Sequence, residues 1–223
     1  WLTDVYRRFR NTLRFCMSNL EGFDVSRDSP ADADLLEIDR YILHRLQKVL
    51  TEASRYFDEF AFHRAFQVLF NFCDSELSAF YLDVVKDRLY CSAPDSRDRR
   101  SAQKTLFELA NSLCRALFPI ISHTAEEAWG HLPAFTGKTE SVALAGWSFG
   151  CDSLIDDVLG KKWERLLKVR EDVQRALEVA KREEIVTNPL EASIGLFVSQ
   201  ELASFLSSFE IPLDVPLNVS YVE

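Results

Sequence analysis

The chain has 223 residues and a mass of 25.6 kDa, and 47% of its residues are hydrophobic, enough for one large or two small cores and too many for a disordered chain. Seven glycines and seven prolines exclude collagen-like repeats and disfavour turn-rich all-β architectures. With 26 basic and 35 acidic residues the formal charge is −9, which argues against a generic nucleic-acid coat but leaves room for a local basic face.

In chain order, Thr3 to Leu20 is expected to form a helix, because Val5, Tyr6, Phe9, Leu13, Cys16, Met17 and Leu20 gather on one side at about 100° per residue. Gly22 should end it, and a polar loop should run to Ala33. Asp34 followed by Glu37 reads as a capping box opening a second helix, with Ile38, Ile42, Leu46, Val49, Leu50, Ala53, Phe57 and Phe60 at helical spacing. A third long helix is expected over roughly Phe62 to Tyr90. It is apolar on more than one face, so it should sit in the middle of a bundle. Pro94, Asp95 and Ser96 break the chain and open a fourth helix that ends at Phe118-Pro119. Thr124 with Glu127 reads as a second capping box, for a short helix to His131, and Ser141 to Trp147 reads as extended. A long helix follows, from about Ser153 to Glu184. Beyond Pro189, the segments Ala192–Val198, Gln200–Phe209 and Leu213–Val222 read as a small β-α-β tail. The expected fold is therefore a mostly α helical bundle over residues 1–150, then a long helix plus a small α+β subdomain over 151–223.

The five cysteines, Cys16, Cys73, Cys91, Cys114 and Cys151, are odd in number and widely spaced, which points to a reducing compartment rather than to a disulfide framework. No apolar run approaches the roughly 20 residues a membrane span needs. The start, Trp1-Leu2-Thr3-Asp4, has no initiator Met and no signal-peptide layout, and suggests a piece of a longer chain.

The first helix reverses the sign of the molecule, with Arg7, Arg8, Arg10 and Arg14 against one acid, Asp4. Arg7, Arg10, Asn11, Arg14 and Ser18 fall opposite its apolar stripe. Guanidinium groups bind phosphate bidentately and stack on bases, so this face could track RNA. The simpler alternative is a solvated face paired with acids of a neighbouring helix. Arg97, Arg99, Arg100 and Lys104 form a second basic cluster where cations oppose the helix dipole, unless Asp95, Asp98 and nearby acids neutralise them. His123, Glu127 and His131 share a helix face, but their spacing is not H-E-x-x-H and no metal is expected. His63 reads as a core histidine, and Cys73 and Cys114 as packing residues. No catalytic constellation emerges.

The stretch Tyr6-Arg7-Arg8-Phe9-Arg10-Asn11-Thr12-Leu13-Arg14-Phe15 resembles the helix that opens the anticodon-binding domain of isoleucyl-tRNA synthetases. The likeness continues through Phe62-His63-Arg64, Asn71-Phe72-Cys73, Leu77 to Asp83, Lys86-Asp87-Arg88-Leu89-Tyr90-Cys91, Arg99 to Gln103, Thr124 to Trp129, Ser141-Val142 and Leu190-Glu191-Ala192, in family order. The stretch from Lys86 to Cys91 resembles the bacterial isoleucine enzymes more than their leucine and valine relatives. One departure is Thr187-Asn188-Pro189, where the family would have glycine before the Asn. The resemblance implies a class I synthetase fragment whose bundle holds the anticodon stem and loop of isoleucine tRNA. The HIGH and KMSKS signatures, the nucleotide-binding core and the editing domain are not in this sequence, so the fragment is expected to be non-catalytic and cofactor-free. ATP with Mg and a zinc site would belong to the rest of the synthetase chain. The implied partners are the tRNA and that remaining chain, in a cytoplasmic monomer without membrane contact. By position, the tRNA-binding residues would be Arg7, Arg10, Asn11 and Arg14, with Arg99 and Arg100 added. The rival reading is a helical protein-interaction or scaffold domain.

Overall fold

A computed structural model describes residues 2–147 and 152–223. Cys151 lies outside the described residues. The chain divides into two compact units, residues 1–156 and 157–223.

The first unit is helical throughout. Its elements are α1 (Leu2–Ser18), a single turn α2 (Val25–Asp28), α3 (Glu37–Asp58), α4 (Phe62–Asn71), a π-helical stretch (Phe72–Tyr81), the turns α5 (Leu82–Val84) and α6 (Lys86–Tyr90), α7 (Arg97–Leu117) and α8 (Ser122–His131). Of the expected stripe, Val5, Phe9, Leu13, Cys16 and Leu20 are buried, Met17 is half-buried, and Tyr6 at its edge is exposed. Phe9 meets Phe66 and Phe70 edge-on, with ring centroids 5.9 Å apart in both pairs. Helix α7 packs against α1, α3, α6 and α8, and the stretch from α4 to α6 packs against α1, α3 and α7, so both lie inside the bundle. Small buried residues on α7, among them Ser101, Ala102, Ala110 and Ala116, let its neighbours close in.

The local caps differ from those read in the sequence. Ser18 Oγ and Asn19 Nδ2 donate to the Phe15 carbonyl, so α1 stops four residues before Gly22, which instead makes a turn at φ +71°. Asp34 belongs to a 3-10 turn, Asp32–Asp34. The entry to α3 is capped across the fold, where Ser101 Oγ accepts the Leu36 N–H at 2.9 Å. Helix α8 starts at Ser122 without a side-chain cap, because Thr124 bonds Tyr6 and Glu127 faces a groove. Ser96 does cap α7, accepting the Arg99 N–H. The third helix is not one α-helix: Ser78 Oγ donates to the Cys73 carbonyl five residues back, inside the π stretch. Residues 142–144 form a 3-10 turn rather than an extended segment, held by Glu126, which accepts from Ser141 Oγ and the Val142 N–H. His63 is exposed, not in the core, since it lies in the first turn of α4 away from the buried Ala65 and Leu69.

A buried polar knot ties this unit together. Asp39, fully buried, accepts from Tyr81 Oη at 2.7 Å, from Arg88 Nη1 and Nη2 at 2.7 and 2.8 Å, and from Ser101 Oγ at 2.5 Å. Burial and then the neighbouring Asp39 charge push the Tyr81 phenol well up.

The second unit is built on α9 (Asp157–Arg182), which starts later and ends sooner than expected. Glu184 at φ +58° closes it, with the Ile185 N–H reaching the Ala180 carbonyl. Strands β1 (Ser193–Ile194) and β2 (Tyr221–Val222) pair in parallel, linked by α10 (Gln200–Leu206) and the turn α11 (Asp214–Leu217). The expected strand from Leu213 is therefore a helical turn at Asp214–Leu217, and it joins the sheet at Tyr221–Val222. Val173, Leu217 and Val219 form its core, with Leu177, Ile194, Leu196, Leu213 and Val222 around them. The Asn188 side chain accepts the Leu190 N–H and shapes the turn where a glycine was expected one residue earlier.

Candidate nucleic-acid interface

Helix α1 sets its buried stripe into the bundle, which turns the opposite face outward. Arg7, Arg10, Asn11 and Arg14 are all exposed. Arg7 reaches only its own helix, with Asp4 at 4.0 Å and a side chain 69% exposed. Arg8 leans the other way and forms an ion pair with Asp74 that lacks hydrogen-bond alignment. Arg10 and Arg14 form no ion pair among the described residues. The solvated face that acids of a neighbouring helix would neutralise is thus realised at Arg8 and not at Arg10 or Arg14.

This ridge has a groove on either side. Asn11 borders one, of about 190 Å³, together with Phe15, Ser78 and the Asp83–Lys86 ion pair. Arg10 and Arg14 border the other, of about 370 Å³, whose far wall is α8. Tyr6 Oη and Thr124 Oγ1, 3.0 Å apart, pin α1 to α8 near its upper end. Buried Leu13 and Ala128 and half-buried Met17 make an apolar floor. Exposed Glu127 and His131 line the α8 wall. The groove continues past Met17, Ser18 and His131 towards Phe23 and Pro133.

The second basic cluster does different work. Arg100 is only 19% exposed: it sits 3.3 Å from Asp28, donates to Gln103 Oε1 at 2.9 Å and lies over the Phe23 ring. Arg97 donates to the Asp34 carbonyl, and Lys104 to the Pro30 carbonyl and to Asp32 at 2.5 Å. These cations fasten the 24–34 loop to α7, so the acids that neutralise them come from that loop and not from Asp95 and Asp98. The Asp28 carboxyl, bonded first to Arg27, is lowered to about 2. Arg99 is half-buried and touches the Ser92 carbonyl at 3.5 Å. Arg100 is thereby a loop clasp rather than an open phosphate contact, and the structure does not present it as it presents Arg10 and Arg14.

His123, Glu127 and His131 are exposed on α8, and no group of three or more His, Cys, Asp or Glu among the described residues is arranged to hold a metal ion. Cys16, Cys73 and Cys114 are buried, and burial pushes the Cys16 and Cys114 thiols up to about 12. They are packing residues, without thiolate chemistry. The sequence also hides the meeting of Glu127 and His131 with Arg10 and Arg14. Their shared helix face is legible at i, i+4, but nothing in the spacing says which helix that face would oppose.

A profile of the anticodon-binding domain of tRNA ligases matches residues 39–196. The chain belongs to that family. The matched span runs from the first turn of α3 past the end of α9 and leaves α1 outside. Whole-chain relatives include α1. The isoleucine–tRNA ligase of Desulforudis audaxviator is 44% identical over 214 residues, which are 96% of this chain and 23% of that protein. Those of Natranaerobius thermophilus and Moorella thermoacetica are 42% and 40% identical, over 99% and 100% of the chain. The domain spans about a quarter of the length of these relatives. No described helix is long and apolar enough to cross a membrane.

Proposed function

We propose that this domain grips the anticodon arm of isoleucine tRNA for a longer isoleucine–tRNA ligase. The observation that carries the reading is the α1 ridge: Arg7, Arg10 and Arg14 turn outward together from a chain of net charge −9. Phosphate contacts of this kind fix register without reading sequence, while unstacked loop bases supply the readout. An acidic remainder is compatible, because one favourable face suffices. The ATP- and Mg-dependent attachment of isoleucine, and the zinc site, are assigned to the rest of the longer chain. Arg99 stays a secondary phosphate candidate, and Arg100 a weaker one given its clasp on Asp28.

The test is made in the full-length ligase. Changing Arg7, Arg10 and Arg14 together to Ala should weaken tRNA binding and flatten the plot of log affinity against log salt by about 2, at roughly 0.7 per lost phosphate contact. Isoleucine-dependent pyrophosphate exchange should stay near the wild-type rate. Unchanged charging at limiting tRNA would refute the reading.

A further inference from the structure

We propose that the groove between α1 and α8 seats one unstacked nucleobase, with the Glu127 carboxylate accepting hydrogen bonds from its amino-bearing edge. The inference rests on the RNA-binding reading above and assigns a base-reading role to a residue on a different helix. Three features of the groove carry it. Its two walls hold charges of opposite sign, Arg10 and Arg14 against Glu127, yet Glu127 forms no ion pair with either arginine among the described residues. Charges this exposed gain little by closing on each other, so a ligand can enter between them at little cost. The floor between them is apolar, from Leu13, Met17 and Ala128, which suits the flat face of a base and not a hydrated ion. The groove also follows the helix axis from Arg10 to Ser18, roughly 12 Å at 1.5 Å per residue, so a guanidinium at each of two turns can hold the flanking phosphates.

The ligand that satisfies all three is anionic along one side, flat and apolar in the middle, and a hydrogen-bond donor on the other. An RNA nucleotide meets each condition. A carboxylate accepts and cannot donate, so Glu127 favours a base with an exocyclic amino group over uracil. Guanine fits best, because its Watson–Crick edge offers two adjacent donors to the two carboxylate oxygens. Thr124 is engaged with Tyr6 and closes the upper end of the site.

The experiment uses the full-length ligase and an anticodon stem-loop RNA of isoleucine tRNA. Each amino-bearing loop base is replaced in turn by uridine, and dissociation constants are measured at fixed salt. Wild-type protein should lose on the order of 10- to 100-fold at one position, the worth of a good bidentate base contact. Glu127→Ala should bring that ratio close to one, and Glu127→Gln, which can donate to uracil, should shift preference towards the uridine RNA. Arg10→Ala and Arg14→Ala should weaken all the RNAs alike. Each ratio is taken within one variant, so partial loss of folded protein does not move it. Full discrimination retained by both Glu127 variants overturns the base-reading role and leaves the RNA-binding reading standing. Arginine variants that bind every RNA as the wild type does overturn that reading as well.

Discussion

Replacing Asp39 with Asn should damage the first unit more than any single change on its surface. Asp39 is fully buried and receives four donor contacts, from Tyr81, from both terminal nitrogens of Arg88 and from Ser101. The Arg88 side chain is 14% exposed. Asn keeps the shape but removes the charge, which leaves the guanidinium nearly desolvated without a counter-ion. Removing one partner of such a buried pair costs about 3–5 kcal/mol. For a chain of this size that corresponds to a fall in Tm of roughly 6–20 °C. Urea unfolding followed by far-UV circular dichroism gives the free energy, and a calorimetric scan gives the Tm. The double variant Asp39→Leu, Arg88→Met should cost less than the two single changes summed, since it removes both charges together. A loss below about 1 kcal/mol for Asp39→Asn would show that the knot contributes little and that packing of α3, α6 and α7 carries the unit.

Phe60 sits at φ +56° just past α3, with the Ala61 N–H reaching the Tyr56 carbonyl and a ring 79% exposed. Phe60→Gly should therefore stabilise the protein by up to about 1 kcal/mol, read as a higher urea midpoint; an unchanged or lower midpoint would mean that the ring contact with Phe62 matters more. Iodoacetamide at mild pH should label the exposed Cys91 and spare Cys16, Cys73 and Cys114 until the chain unfolds, as peptide mass mapping would show. Burial holds the Cys16 and Cys114 protons more tightly when folded, so their contribution is complete below the unfolded thiol value of about 8.5 and declines as pH rises towards about 12. The urea midpoint should fall across that alkaline window, and a flat profile would contradict the burial. Ser96→Ala removes the cap on α7 and should cost about 1 kcal/mol by the same denaturation measurement.

Two of the stretches that mark the family likeness turn out to serve the interior. Arg88, within Lys86 to Cys91, and Ser101, within Arg99 to Gln103, both close on Asp39. Ser101 also caps α3 through the Leu36 N–H. Arg100, from the same stretch as Ser101, clasps the 24–34 loop. The first of the quoted stretches, on α1, keeps an open, cationic face at Arg7, Arg10 and Arg14.

The helical class, the existence of most long elements and the outward face of α1 are set by the sequence itself, because residues at helical spacing bury one stripe whatever their neighbours are. The arginine ridge follows from that rule alone: once Val5, Phe9 and Leu13 go inward, Arg7, Arg10 and Arg14 must point out. The caps at Asp34 and Thr124, the core placing of His63 and the extended segment near Val142 were not legible, since each was decided by a group far along the chain or by a turn's orientation. Ser101 replaced the local cap of α3 across 65 residues, and Tyr6 took the Thr124 hydroxyl across 118. The groove belongs to the same class. Arg10 and Arg14 come from one end of the sequence and Glu127 from past its middle, and only the packing of α1 and α8 onto α7 places them across one floor. Periodicity tells which side of a helix is buried, whereas tertiary packing alone chooses the neighbour that side will meet.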